Sequence, residues 1–444
     1  MADFEWLAKR VRKVIQAGRG ERNILNRRPN SLLWLGLLTA AVVALFLVPT
    51  AAAAKQKSHH HHGHGKVVCH HHHHGHHGKH RGHGKDRGHG KVANVMTRNV
   101  YLGADLTPAI FAPSLEAFAA ANGKILREVT ANDFPTRADG LADEILATKP
   151  DLVGLQEVAL WRTAPVNPEV LTKGPSATTV RYDYLQLLLD ELNEGKGKYG
   201  NGKPRYSVVV SQNEFDLEAP ADENGKAGDG PGGELADAEI NGRLTMRDVI
   251  LVREGAGVQT WNAQSANFAN PLPVKILGAT VPIQRGWTAT DAKVRGTGPF
   301  RFVNTHLEAF EPNFRALQAG ELVAPGGPAT SDLPVVLLGD LNSDDDTVSG
   351  ADTLAYNLLL GAGMVSRSTD TPLSCCLNSS LLAVKAAEEA GAGLADFDHQ
   401  VDHILTRDPG QVTLQSSTVT GLQPVNGFWS SDHAGVFSAL RFER

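Results

Sequence analysis

Cysteine is scarce in this chain: three residues in 444, two of them adjacent at Cys375-Cys376 and the third at Cys69. That excludes a disulfide framework and a zinc-finger spacing. Cys375 and Cys376 either bridge one another outside the cell or stay as two buried or half-buried thiols. Aromatic residues make up only 6%. The only candidate for an aromatic tip that enters membranes is Asn426-Gly-Phe-Trp429, which reads more simply as a core-packing turn. Basic charge is missing from most of the chain. Residues 1–91 hold 16 Lys+Arg against 4 Asp+Glu, whereas residues 92–444 hold 27 against 44. A body this acidic is no general polyanion trap. It suits a protein that collects divalent cations, or one that meets phosphate with a metal between them. Histidine is nearly absent from that body: 15 of 19 fall between His59 and His89, leaving His306, His399, His403 and His433.

Long apolar runs are also rare. The one over residues 32–48 follows a basic region, residues 1–30, and ends in the small residues Ala51 to Ala54. A basic flank, an apolar centre and a small-residue end describe a signal peptide cleaved near Ala53 or Ala54. Residues 31–54 are equally long enough to cross a bilayer as an uncleaved anchor. Under either reading the basic flank stays inside and the rest is exported, secreted or held at the outer face of the membrane. Residues 55–91 are nearly all His, Gly, Lys and Arg. Such a tract has no apolar face to pack and is expected to be a disordered linker. Its imidazoles either bind zinc, nickel or copper or only space the body from the membrane.

The globular body is expected over residues 92–444. Residues 334–342 read Pro-Val-Val-Leu-Leu-Gly-Asp-Leu-Asn, a short apolar run bounded by proline and a polar cluster, hence a buried strand. The period of two puts Asp340 and Asn342 on the same side. An unpaired buried carboxylate is costly, so Asp340 should face a cleft, a metal or a cation. Further strands are expected over residues 92–102, 150–157, 206–210, 247–253, 299–306 and 400–405, with a closing strand after Asp432-His433. Helices are expected over 138–148, 184–192, the later part of 308–322 and 354–360, and an exposed loop over 218–233. Strand after strand ends in a metal- or phosphate-binding residue type: Asn99, Glu157, His306, Asp340 with Asn342, Asp402, and Asp432 with His433. Each alone is explained by a cap, a satisfied core histidine or a solvated turn. Together they describe one site at the ends of a sheet. His399 and His403 read as ordinary loop or core histidines.

The order of Thr97-Arg-Asn99, Leu155-Gln-Glu157, Asn304-Thr-His306, Gly339-Asp-Leu-Asn342, Val401-Asp402 and Ser431-Asp-His433 resembles the endonuclease/exonuclease/phosphatase superfamily, the DNase I-like fold. The resemblance covers residues 92–444. It implies an α/β (α+β) four-layer sandwich, with two mixed sheets packed face to face and helices outside. It implies Glu157 as principal ligand of a divalent metal, with Asn99 and Asp432 beside it. Magnesium suits these oxygen donors, with manganese as substitute. It further implies His433 as base or water polariser, and Asp340 and Asn342 positioning water and phosphate. His306 would bind the phosphoryl oxygens or assist the leaving group, and Asp402 would hold a histidine, with His306 the expected partner. DNases also orient the catalytic histidine through an earlier glutamate. Here only Arg247 and Asp248 lie nearby in sequence, so that partner is unassigned.

What the resemblance implies is a metal-dependent phosphoesterase, phosphodiester ahead of monoester. The substrate is left open between nucleic acid and a phospholipid such as sphingomyelin. The first strand is similar to that of bacterial neutral sphingomyelinases, whereas Arg98, Arg162, Arg243 and Arg247 would supply cations for DNA. A monomer is expected. The rival reading is an exported metal-binding protein that uses the His-rich tract and carries an inactive enzyme-like body.

Overall fold

The computed structural model describes residues 91–194, 205–345, 350–368, 373–383, 397–407 and 410–443. The chain parts into two units, Met1–Asp86 and Arg87–Arg444. The basic region, the signal peptide or anchor and the His-rich tract up to residue 90 lie outside the described residues. Among the described residues, no helix is long and apolar enough to cross a membrane.

The second unit is built on two mixed sheets. The first holds β1 (Lys91–Asn99), β2 (Leu152–Gln156), β3 (Leu160–Pro165), β4 (Thr179–Asp183), β5 (Tyr206–Ala221), β6 (Ile240–Arg253), β15 (Val412–Thr420) and β16 (Gly435–Phe442). Its order is β15-β16-β1-β2-β6-β3-β4, with β5 also paired to β6. The second holds β7 (Gln259–Asn267), β10 (Gly286–Lys293), β11 (Phe300–His306), β12 (Val335–Asp340), β13 (Met364–Ser366) and β14 (Asp402–Arg407). Its order is β13-β14-β12-β11-β10-β7. A separate hairpin joins β8 (Leu272–Ile276) to β9 (Ala279–Ile283).

The layering follows from side-chain alternation. On β12, Val336 and Leu338 turn inward, into a cluster with Val95, Leu152, Ile250, Phe302 and Ile404 that joins the two sheets. Val335 and Leu337 turn outward, against Leu322 and Leu359. Burial on both faces is why this strand is an unbroken apolar run rather than an alternating one. Each such side chain contributes about 1.5–3 kcal/mol by leaving water. Helices α1 (Leu115–Ala131), α2 (Phe134–Thr148) and α3 (Tyr184–Glu194) cover the outer face of the first sheet. Helices α4 (Pro312–Val323) and α5 (Leu354–Gly361) cover the second. The result is helix, sheet, sheet, helix: the expected four-layer sandwich.

Some expectations are corrected. The strand expected over 206–210 runs on to Ala221 and takes in the start of the expected exposed loop. Glu218 is buried there because its carboxylate accepts the Ser176 and Ala177 N–H groups and the Asn241 amide. Register shifts at Val208/Val210 and Asn213/Asp216 break the alternation that would mark so long a strand. Helix α1 was not expected, although Ser114 caps it by accepting the Ala117 N–H and Phe118, Ile125, Leu126 and Val129 are buried. The 426–429 segment is the core-packing turn: Trp429 is buried, edge-on to Phe397.

Candidate active site

Every strand end singled out in the sequence lies at one edge of the sandwich. The parallel strands β1, β2, β11 and β12 end there, and the antiparallel β14 and β16 begin there. The registers pair Asn99 with Gln156, His306 with Asp340, and Asp340 with Asp402. Beneath this edge a buried polar stitch ties the sheets together. Gln156 Nε2 donates to Asn304 Oδ1 at 2.6 Å, and Asn304 Nδ2 donates to Leu155 O at 3.2 Å.

Asp340 is the hub. Asn99 Nδ2 donates to its Oδ2 at 3.0 Å, and the Asn342 N–H to its Oδ1 at 2.9 Å. His306 Nε2 stands 3.4 Å and His433 Nε2 3.7 Å from the same Oδ2. The hub is almost fully buried, so its carboxyl is pushed up to about 6, against the pull of His433. His433 Nδ1 lies 2.8 Å from Asp402 Oδ2. Burial works to neutralise this imidazole, but Asp402, Asp340 and Asp432 together hold it protonated up to about 10. The Arg98 guanidinium grips the His433 carbonyl and pairs with Glu144 at 3.0 Å, and Ser431 Oγ donates to Asn99 O at 2.8 Å. The last segment before β16 is thereby clamped to the end of β1.

Asp402 thus serves His433, which corrects the expected pairing with His306. The strand order explains it: β14 enters beside β12 and brings Asp402 toward the turn that carries His433. His306 instead receives Arg285 Nη1 on its Nδ1, at 3.0 Å. A guanidinium only donates, so Nδ1 accepts and the ring proton sits on Nε2, aimed at Asp340. Burial first, then the Arg285 and His433 charges, push His306 well below the usual histidine range, so it is a neutral donor.

Arg285 was missed in the sequence. So was Glu214, which with Asp248 brings carboxylate oxygens beside a His306 nitrogen, all within 4.8 Å of one another. All four oxygens of this buried acid pair lack a donor, and two acceptors cannot bond unless one carries a proton. Burial raises Glu214 to about 7 and Asp248 well above the usual range. Asp248, unassigned from the sequence, belongs here.

Glu157 follows β2 at φ 57°, with the Leu102 N–H donating to its Oε2 at 2.8 Å. Asn99 Oδ1 accepts the Tyr101 N–H at 2.9 Å. Glu157 and Asp432 are both half-buried, and Asp432, Glu128 and Glu157 each add to burial in raising the Tyr101 phenol. Carboxylate and amide oxygens from Glu157, Asp432 and Asn99 fit a hard divalent cation. Asn342 is anchored by donating from Nδ2 to Leu307 O at 3.0 Å. His403 is structural: it is buried, bonds Ser343 O at 2.9 Å and lies 4.6 Å from the Tyr356 ring. The arginines expected to serve DNA are engaged within the protein. Arg98 is fully buried, Arg243 and Arg162 face Asp216, and Arg247 pairs with Asp183.

Two face-to-face mixed sheets with carboxylates, amides and imidazoles gathered at one edge define a class of divalent-metal hydrolases of phosphate esters. The model of the endonuclease/exonuclease/phosphatase family matches residues 99–433, more than half of the chain, and its limits fall on Asn99 and His433. The chain belongs to this family and is a hydrolase acting on phosphate ester bonds. No curated protein matches its sequence. Solved structures with a similar fold include an endonuclease/exonuclease/phosphatase from Bacteroides vulgatus, at 16% identity and TM-score 0.43, covering 80% of this chain and 100% of that one. They also include TDP2 of D. rerio in complex with a single-strand DNA product, at 16% identity and TM-score 0.41, covering 79% and 99%. The mannosyl-6-phosphatase of Bacteroides thetaiotaomicron aligns at 16% identity and TM-score 0.43, covering 79% and 100%.

Proposed function

We propose that this enzyme hydrolyses a phosphodiester by attack of a water molecule that His433 deprotonates, with magnesium as the natural cation and manganese as a substitute. The observation that carries the reading is the His433–Asp402 pair at 2.8 Å, set against Asp340 and its Asn99 donor. Asp402 holds the imidazole so that Nε2 faces the site, and Nε2 takes the proton from water. Asp340, fixed by Asn99 and Asn342, orients that water. Neutral His306 donates from Nε2 to a phosphoryl oxygen, and Arg285 keeps it in that tautomer. When bound at Glu157, Asp432 and Asn99, a divalent cation stabilises charge developing on phosphorus and offsets the carboxylate field that keeps His433 protonated.

The engaged arginines and the acidic body favour a substrate with one phosphate, such as a phospholipid headgroup, over a long nucleic acid. Export remains our reading of residues 31–54, and mass measurement of the mature N-terminus tests it. Activity is tested on plasmid DNA, sphingomyelin and a bis-aryl phosphodiester in parallel, with magnesium, manganese or EDTA. Metal-dependent cleavage is expected, with His433→Ala and Asp402→Asn each reducing kcat by about a hundred- to ten-thousand-fold. Silence on all three from folded protein would turn the reading to a phosphomonoesterase or to the inactive metal-binding alternative.

A further inference from the structure

The vicinal cysteines are not accounted for by this chemistry, yet they lie on its base. Cys375 Sγ and Cys376 Sγ stand 3.7 and 3.8 Å from His433 Nε2, the atom that faces the substrate. The placement is built in. Ala434 N donates to Ser374 O at 2.7 Å, and Leu377 N to Asp432 O at 2.9 Å, so the cysteine segment is laced to the backbone on both sides of His433. A further bond from Cys375 N to His399 O at 3.0 Å ties it to the segment before β14. Cys375 is buried and Cys376 half-buried. Adjacent in sequence, the two cysteines exist either bridged to one another or as two thiols. The two sulfurs and an imidazole nitrogen all lie within 4.8 Å of one another.

Two thiolates and one imidazole form a soft donor set, unlike the hard oxygens of Glu157, Asp432 and Asn99. Thiolate with imidazole selects zinc and similar thiophilic cations. We infer that, when reduced, Cys375, Cys376 and His433 form a second metal site that takes one zinc-class cation and shuts off hydrolysis by occupying His433 Nε2. The bridged form has no thiolate to offer and leaves Nε2 to the reaction. Opening the bridge takes two electrons. A phosphine and water cleave the S–S bond, a proton goes to each sulfur, and the phosphine becomes its oxide. Each thiol then releases that proton on metal binding. The inhibitory half rests on His433 being the base; the metal site itself does not.

The test uses the full chain carrying Cys69→Ser, so that no other thiol is present, with and without Cys375→Ala/Cys376→Ala. After phosphine reduction, cobalt(II) should give a saturable thiolate-to-metal charge-transfer absorption. The double variant should give none, since the His-rich tract offers only imidazole. With magnesium present, zinc should stop hydrolysis of the bis-aryl phosphodiester by the reduced protein. The double variant and the bridged protein should need at least about tenfold more zinc for the same loss. Cys376→Ala alone, at the half-buried position, should shift the zinc response in the same direction and serves as the variant least at risk of misfolding. Absence of the cobalt band in reduced protein whose two thiols have been titrated would overturn the site. A cobalt band together with equal zinc sensitivity in all forms would overturn the block at His433. If the phosphodiester is not hydrolysed at all, the proposed function fails, while the cobalt measurement still decides the site.

Discussion

Asp340 and His433 show how much of the site a residue-level reading reaches. Both were legible only as members of a set, because each alone has an ordinary structural explanation and six such strand ends in one chain do not. Arg285 was not legible. It lies in an irregular segment just before β10, and its role shows only in space, in its 3.0 Å contact with His306, 21 residues away in sequence, and its charge beside Glu214 and Asp248. Glu214 was hidden in Gln212-Asn-Glu-Phe-Asp216, where polar residues look like a solvated face. Its burial has a measurable sign. Glu214 is raised from 4.5 to about 7, so its favourable protonated form is fully present below pH 4.5 and lost as pH climbs through about 7. The contribution of Glu214 to wild-type stability should therefore fall across that window, by on the order of 3 kcal/mol. Glu214→Gln, which stays neutral, should gain in Tm over wild type between pH 5 and pH 8, measured by thermal melts in EDTA. Parallel melting curves at the two pH values would refute the protonated pair.

At the scale of elements, strand positions were readable where a strand buried on both faces is an aliphatic run, as in β12; β10 is buried too, but its Thr and Asp residues hid it. They were lost where bulges broke the alternation, as in the β5–β6 ribbon, or where strands are largely exposed, as in β7. The pairing of Asp402 could not be read because it depends on which strand β14 joins, a long-range choice that no local pattern encodes. One glycine carries the register of the site. Gly339, at φ +150°, passes so close to β11 that a Cβ would stand 1.9 Å from Thr305 O. Gly339→Ala should cost about 1–3 kcal/mol and lower kcat by displacing Asp340, read by melting temperature and phosphodiester hydrolysis together. Gly298→Ala, where a Cβ meets nothing within 4 Å, should change neither.

For the whole molecule, the charge balance was legible in the sequence, and the structure adds where the arginines go. The acidic body does hold arginines near the site, but partners within the fold engage them. Hydrolysis of a single-phosphate substrate should accordingly change little in kcat/KM between about 50 and 200 mM salt. A protein neutralising many phosphates would instead lose about 10³–10⁵ in affinity. A steep salt dependence would point to a basic surface outside the described residues.

The pairing of β1 with β16 has a consequence for how the enzyme comes into being. Asn99 leads the described chain and His433 nearly ends it, 334 positions later, and the two are brought together only when Val436 lies down beside Thr97. A growing polypeptide emerging from the ribosome therefore carries Asn99 and Glu157 long before it carries Asp432 and the base. Synthesis itself delays catalysis until His433 has been added, and any chain released before that residue is born without activity.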